Sequence, residues 1–171
     1  MKTIDKYLFQ ALDNYPYSLE ETIESLDYAF SYDAKNTMVL CLYGRIQAEQ
    51  LMNYEDAKSY FQEALAINIY AFEVYPHYLQ TLILNEDFEE AQKLIDFALT
   101  IKGINKSDIY VKKAILFEAQ QEFEKALKEI KNAKLCTLQF AFDSDISEVE
   151  KRIQGKIDLL KKKKNSKEKS K

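Results

Sequence analysis

Residues 88–98 read Phe88-Glu89-Glu90-Ala91-Gln92-Lys93-Leu94-Ile95-Asp96-Phe97-Ala98. Phe88, Ala91, Ile95 and Ala98 follow one another at steps of 3, 4 and 3 residues. Such steps return to one side of an α-helix. Small and large residues alternate on that stripe, so a second helix can approach over the alanines while phenylalanine and isoleucine fill the space beside them. The same stripe recurs up and down the chain, as Leu19, Thr22, Leu26 and Ala29, as Tyr54, Ala57, Phe61 and Ala64, and as Phe123, Ala126, Ile130 and Ala133. Each of the four columns has the spacing 35, 34 and 35. A helix with one apolar stripe cannot bury it alone, so a periodic set of them predicts helices stacked against one another.

A second helix is predicted before each of these. Leu40, Tyr43, Gly44 and Gln47 precede Ala57; Tyr75, Tyr78, Leu79 and Leu82 precede Ala91; Tyr110, Ala114 and Phe117 precede Ala126. Ser18-x-x-Glu21 and Asp87-x-x-Glu90 read as capping boxes, Ser107 as an N-cap and Gly103 as a helix stop. These residues resemble the tetratricopeptide repeat (TPR) family, whose units of about 34 residues pair two antiparallel helices, the first with a bulky-x-x-bulky-small pattern and the second with small-large-small. The expected fold is an all-α solenoid of about four TPR-like helix pairs in residues 1–143 (units 1–35, 36–70, 71–104 and 105–138) with a C-terminal capping helix. Several positions depart from the family. Thr22 replaces an alanine, Tyr15-Pro16-Tyr17 interrupts the first unit, and the proline that ends the second helix is missing. The turn after Gln50 carries one extra residue, Lys113 stands in an apolar column, and Pro76 falls where a helix starts or bends.

What the resemblance implies is a concave groove lined by the first helix of each unit. By phase, its residues are Met38, Cys41 and Arg45, then Glu73, Gln80 and Ile83, then Asp108, Val111, Ile115 and Glu118. Arg45 is the one basic residue among them, so the set does not support the clamp with which some family members hold a chaperone's terminal carboxylates. An extended or helical peptide with apolar anchors and some basic character suits it better. The expected function is a protein–protein interaction adaptor or scaffold. The alternative is a structural subunit of a homo-oligomer or larger assembly, joined through the C-terminal helix or the open end of the first repeat.

In residues 144–160, Ile146, Val149, Ile153, Ile157 and Leu160 follow helical steps. This helix either caps the stack or dimerises, with Leu138-Gln139-Phe140-Ala141-Phe142 as an apolar connector. Residues 161–171 are rich in lysine, have no apolar side chain and are expected to be a disordered tail. The chain holds 24 basic and 28 acidic residues. Ten basic and two acidic residues fall in 151–171, which leaves 14 and 26 in residues 1–150. An acidic body makes nucleic acid an unfavourable partner except through the tail, which lacks aromatic side chains for stacking on bases.

Only three glycines and two prolines occur, as long helices with short turns require. The start lacks the apolar core of a secretion signal, and no apolar run reaches the roughly 20 residues of a membrane span. A cytoplasmic location follows as the expectation. Cys41 and Cys136 lie far apart and fit no metal spacing, so each reads as a small buried residue. The single histidine, His77, has no triad partner in view and reads as a surface or partly packed residue. There is no glycine-rich phosphate loop. Paired acids such as Glu20/Glu21 and Glu89/Glu90 sit at helix starts, where the helix dipole favours negative charge. No enzyme activity, cofactor or metal is expected.

Overall fold

The structure, a computed structural model, describes residues 6–137 and 143–168. The apolar connector 138–142 therefore lies outside the described residues. The helices are α1 (Lys6–Asn14), α2 (Leu19–Tyr32), α3 (Thr37–Arg45), α4 (Tyr54–Ile67), α5 (Val74–Leu84), α6 (Phe88–Thr100), α7 (Lys106–Ala119), α8 (Phe123–Cys136) and α9 (Asp143–Glu168), with a π-helical turn at Ile46–Gln50. Strands are absent among the described residues. The fold is all-α and TPR-like: α1 packs on α2, α3 on α4 and α7 on α8, and α5 and α6 follow one another along the chain in the same repeat order.

The repeat columns explain why these helices form a folded body. Thr22, Ala57, Ala91 and Ala126, then Leu26, Phe61, Ile95 and Ile130, then Ala29, Ala64, Ala98 and Ala133 are all 0% exposed. Threonine stands in for alanine in the first unit because its hydroxyl donates to the Ser18 carbonyl at 2.7 Å, so no buried donor is left over.

The chain divides into two compact units, Met1–Asn85 and Glu86–Lys171. In the first, Leu8, Ala11 and Tyr15 of α1 and its end pack with Leu26 and Ala29 of α2 and with Val39, Leu42 and Ile46. Phe61 of α4 stacks on Tyr78 of α5 with ring centroids 5.6 Å apart. Gly44 of α3 faces the same phenylalanine so closely that an added Cβ would lie 2.6 Å from the ring. The extra residue expected after Gln50 is taken up one step earlier, in the π-helical turn, where the Leu51 amide donates to the Ile46 carbonyl at 3.2 Å.

In the second unit, Ala114 of α7, Ala126, Ile130 and Ala133 of α8, and Ile146, Val149 and Ile153 of α9 form one core. Lys113, in its formally apolar column, reaches the buried Glu129 of α8 at 3.7 Å. Helix α9 begins at Asp143 and runs to Glu168, so residues 161–168 of the expected unstructured tail are helical. Lysine and glutamate are good helix formers, and extending an existing helix adds hydrogen bonds without a new nucleus. Residues 169–171 lie outside the described residues.

Helix starts differ from expectation in one recurring way: asparagine supplies the caps. Asn36 accepts from the amides of Met38 and Val39, Asn53 from Asp56, and Asn105 from Ser107. Ser107 is thus not the cap of α7. It lies inside the helix, buried, and donates its hydroxyl to the Ala133 carbonyl at 3.1 Å. Ser18 and Asp87 occupy N-cap positions without a side-chain bond to the helix amides. Pro76 falls in the first turn of α5, where its missing N–H has no intrahelical partner to lose. Gly103 has φ of 95°, the left-handed conformation that glycine tolerates, just after α6.

Candidate functional site

In the first unit, α1 and α5 both touch α3, and their neighbouring surfaces carry a polar cluster. Arg45 ends α3, and Glu49, four residues on in the π-helical turn, faces the same side. The Arg45 Nε donates to Glu49 Oε1 at 3.2 Å, and its guanidinium carbon lies 4.6 Å from the centroid of the Tyr15 ring. The Tyr15 hydroxyl donates to the other Glu49 oxygen, and His77 Nδ1 of α5 stands 3.4 Å from Oε1. Burial pushes the Glu49 carboxyl up, but hydrogen bonds from His77, Tyr15 and Arg45 outweigh it and hold the group at about 2. Burial and the bond to Glu49 push the Tyr15 phenol to about 12. The result is a fixed carboxylate that orients a half-buried arginine.

The residues assigned to this face from sequence are not equally accessible. Met38 is 43% exposed and Glu73 is exposed, accepting from the Thr37 hydroxyl at 3.3 Å. Arg45 and Gln80 are half-buried. Cys41 is buried, with its Sγ 3.8 Å from the Glu73 carbonyl oxygen, and burial pushes its thiol to about 12. That removes it from nucleophilic chemistry near neutral pH. Ile83 is 6% exposed and belongs to the core.

In the second unit, Asp108 accepts from the Asn105 side chain at 2.8 Å at the start of α7. Val111 and Ile115 pack against the α7–α8–α9 core. Glu118, buried, is gripped by α9: Arg152 donates through Nε at 2.9 Å and Nη2 at 2.7 Å, and Lys156 Nζ lies 2.7 Å away. Burial pushes this carboxyl up, and the bonds from Arg152 and Lys156 reverse that and hold it below its ordinary value.

Sequence reasoning singled out Arg45 and Glu118 but missed Glu49, Tyr15 and the contact of His77. Glu49 stands four residues after Arg45, a spacing that pairs side chains on one helix face, and allowing for the extra residue near Gln50 it also takes the column of Ile83 and Glu118. Among the described residues no group of three or more histidine, cysteine or acidic side chains could hold a metal ion, and no helix is long and apolar enough to cross a membrane.

The helix pairs, the fully buried alanine columns and the first-helix faces define a TPR-like protein. No family model and no curated protein matches the sequence. Among solved structures, that of PilF from Pseudomonas aeruginosa, a TPR-containing protein, is similar, with a TM-score of 0.64 and 17% sequence identity. The likeness covers 90% of this chain and 74% of PilF, and it supports the fold.

Proposed function

We propose that this chain is a non-catalytic interaction module of the TPR family that binds a segment of a protein partner on the faces of its first helices. The observation that carries this reading is the cluster on α3 and α5. There Glu49, with Tyr15 and His77, holds Arg45 in one orientation, and Met38 on α3 and Glu73 at the start of α5 are exposed. Preorganised polar groups next to an apolar anchor are what a peptide-binding surface needs, because little side-chain freedom is lost on binding. A partner segment with an apolar anchor for Met38 and a basic residue for Glu73 fits this face. Of the residues assigned to the second unit, Asp108 is half-buried and the other three are engaged with α9 or its core, so the first unit offers the open face.

The test is quantitative co-purification from the cells that make the protein, comparing wild type with Met38→Asp and Glu73→Lys. Both residues are exposed, so both variants should keep the wild-type circular dichroism. Loss of a shared set of partners by about ten-fold or more is expected, a change of about 1.4 kcal/mol. Partners recovered at unchanged abundance from both variants contradict the assignment.

A further inference from the structure

In the second unit, α9 packs chiefly on α8 and also touches α7, where it meets Glu118 of the face that the repeat phase assigns to recognition. Ile146, Val149 and Ile153 are buried with Ala114 of α7 and with Ala126, Ile130 and Ala133 of α8, and Val111 and Ile115 pack on the same core. Arg152 and Lys156 hold Glu118, and Lys134 of α8 holds Glu150 at 2.6 Å.

The ionic contacts at Glu118 add little net stability over a well-packed apolar pair, because desolvation of the buried carboxylate offsets the attraction. What they add is register. Arg152 and Lys156 stand one helical turn apart, and Glu150 meets a lysine on the other side of the stripe. A helix shifted by one turn would keep at most one of the two cations at Glu118, whose side chain is 5% exposed, and would move Glu150 off Lys134. Helix α9 also outruns its seat. It has 26 residues, about 39 Å, yet its side-chain burial fades after Ile153, with Ile157 half-buried and Leu159, Leu160, Lys161 and Lys162 exposed.

We propose that the α7–α8 face is a helix-receiving site and that α9 is its internal, exchangeable occupant. The helix it takes from a partner has apolar residues at i, i+3 and i+7, an acid at i+4, and arginine and lysine at i+6 and i+10. That is the pattern of Ile146, Val149, Ile153, Glu150, Arg152 and Lys156. Such a helix binds by displacing α9, and its apparent affinity is lowered by the fraction of chains in which α9 is docked. This inference rests on the reading of the chain as an interaction module, and it names the partner of the second unit.

A fluorescent peptide of residues 143–160 is the probe, titrated against full-length protein. Arg152→Glu with Lys156→Glu loosens α9 in the chain while leaving the receiving face intact. The peptide is expected to bind this double variant about ten-fold or more tighter than wild type. Adding Glu118→Gln to the double variant is expected to remove most of that gain. Equal binding to wild type and double variant overturns the proposal. So does loss of helical signal from α6–α8 in the double variant, which would make α9 an integral part of the fold. Hydrogen exchange on the wild type is the second readout: amides of 146–157 should exchange faster than those of α7, and exchange in step with α7 contradicts an exchangeable helix. Light scattering that finds a dimer with α9 swapped between copies assigns the face to a second copy, and overturns the partner reading. None of these results bears on Met38 and Glu73, so failure here is distinguishable from failure of the proposed function.

Discussion

Two glycines in helices, Gly44 in α3 and Gly155 in α9, should respond to the same substitution with opposite signs. Glycine in a helix interior costs about 1 kcal/mol relative to alanine. At Gly155 an added Cβ meets nothing within 4 Å, so Gly155→Ala should realise that gain. At Gly44 the added Cβ would lie 2.6, 2.8 and 2.9 Å from three carbons of the Phe61 ring. Ordinary carbon contacts begin near 3.5 Å, so the ring must retreat by about 0.9 Å. It has little room, being 0% exposed and stacked on Tyr78. Overpacking of this kind costs about 1–3 kcal/mol. The helix gain of about 1 kcal/mol offsets part of it and leaves Gly44→Ala destabilised by up to about 2 kcal/mol. At roughly 2–4 °C per kcal/mol for a chain of this size, thermal melts by circular dichroism should show Tm falling for Gly44→Ala and rising for Gly155→Ala. A rise at both positions would refute the close approach of α3 to α4, and with it the reason a small residue stands in that column.

Met52, Glu86 and Gln121, each two residues before a second helix, have φ of 54°, 61° and 62°. Glu86→Gly and Gln121→Gly should each stabilise the protein by about 0.5–1 kcal/mol in urea unfolding, because the left-handed conformation strains residues with a Cβ; a loss of stability contradicts this. The Glu118 carboxyl is held below its ordinary 4.5. Its contribution to stability is therefore present above about pH 4.5 and is lost as pH falls through the depressed value. Glu118→Gln should flatten the loss of Tm of the second unit in that acid range, and an unchanged pH profile would show that Arg152 and Lys156 do not act through the carboxylate. In the native protein at pH 8, iodoacetamide should label the half-buried Cys136 and spare Cys41, whose thiol is buried and raised to about 12. Labelling of both at equal rates contradicts that burial.

The alanine columns were legible because they record packing, which depends on volume at fixed spacing and little else. Thr22 sat in its column as well as any alanine, since its hydroxyl is satisfied within its own helix. Caps were harder to read. Serine, aspartate and asparagine all qualify chemically, and only the backbone at the turn decides that Asn105 rather than Ser107 starts α7. The extra residue near Gln50 was visible as a spacing anomaly. The way it is taken up was not, because only the backbone decides between a longer turn and a π-helical one, whereas the i, i+4 spacing of Arg45 and Glu49 was open to reading. In the second unit, Glu118 was assigned to the first-helix face, but its partners Arg152 and Lys156 come from α9, 34 and 38 residues further on, contacts that periodicity alone does not assign. The length of α9 was missed for a related reason: composition without apolar residues argues against packing, and a helix can continue past the end of its packing.

The central claim is that the face of α3 and α5 receives a partner. A photo-crosslinking amino acid placed at Gln80, half-buried on α5, tests it in the cells that make the protein, with Ser59, exposed on α4, as the control position. The account predicts discrete adducts at Gln80 that are absent at Ser59 and that disappear when Met38→Asp is added. Adducts of the same masses at both positions, or adducts at Gln80 that survive Met38→Asp undiminished, would contradict it.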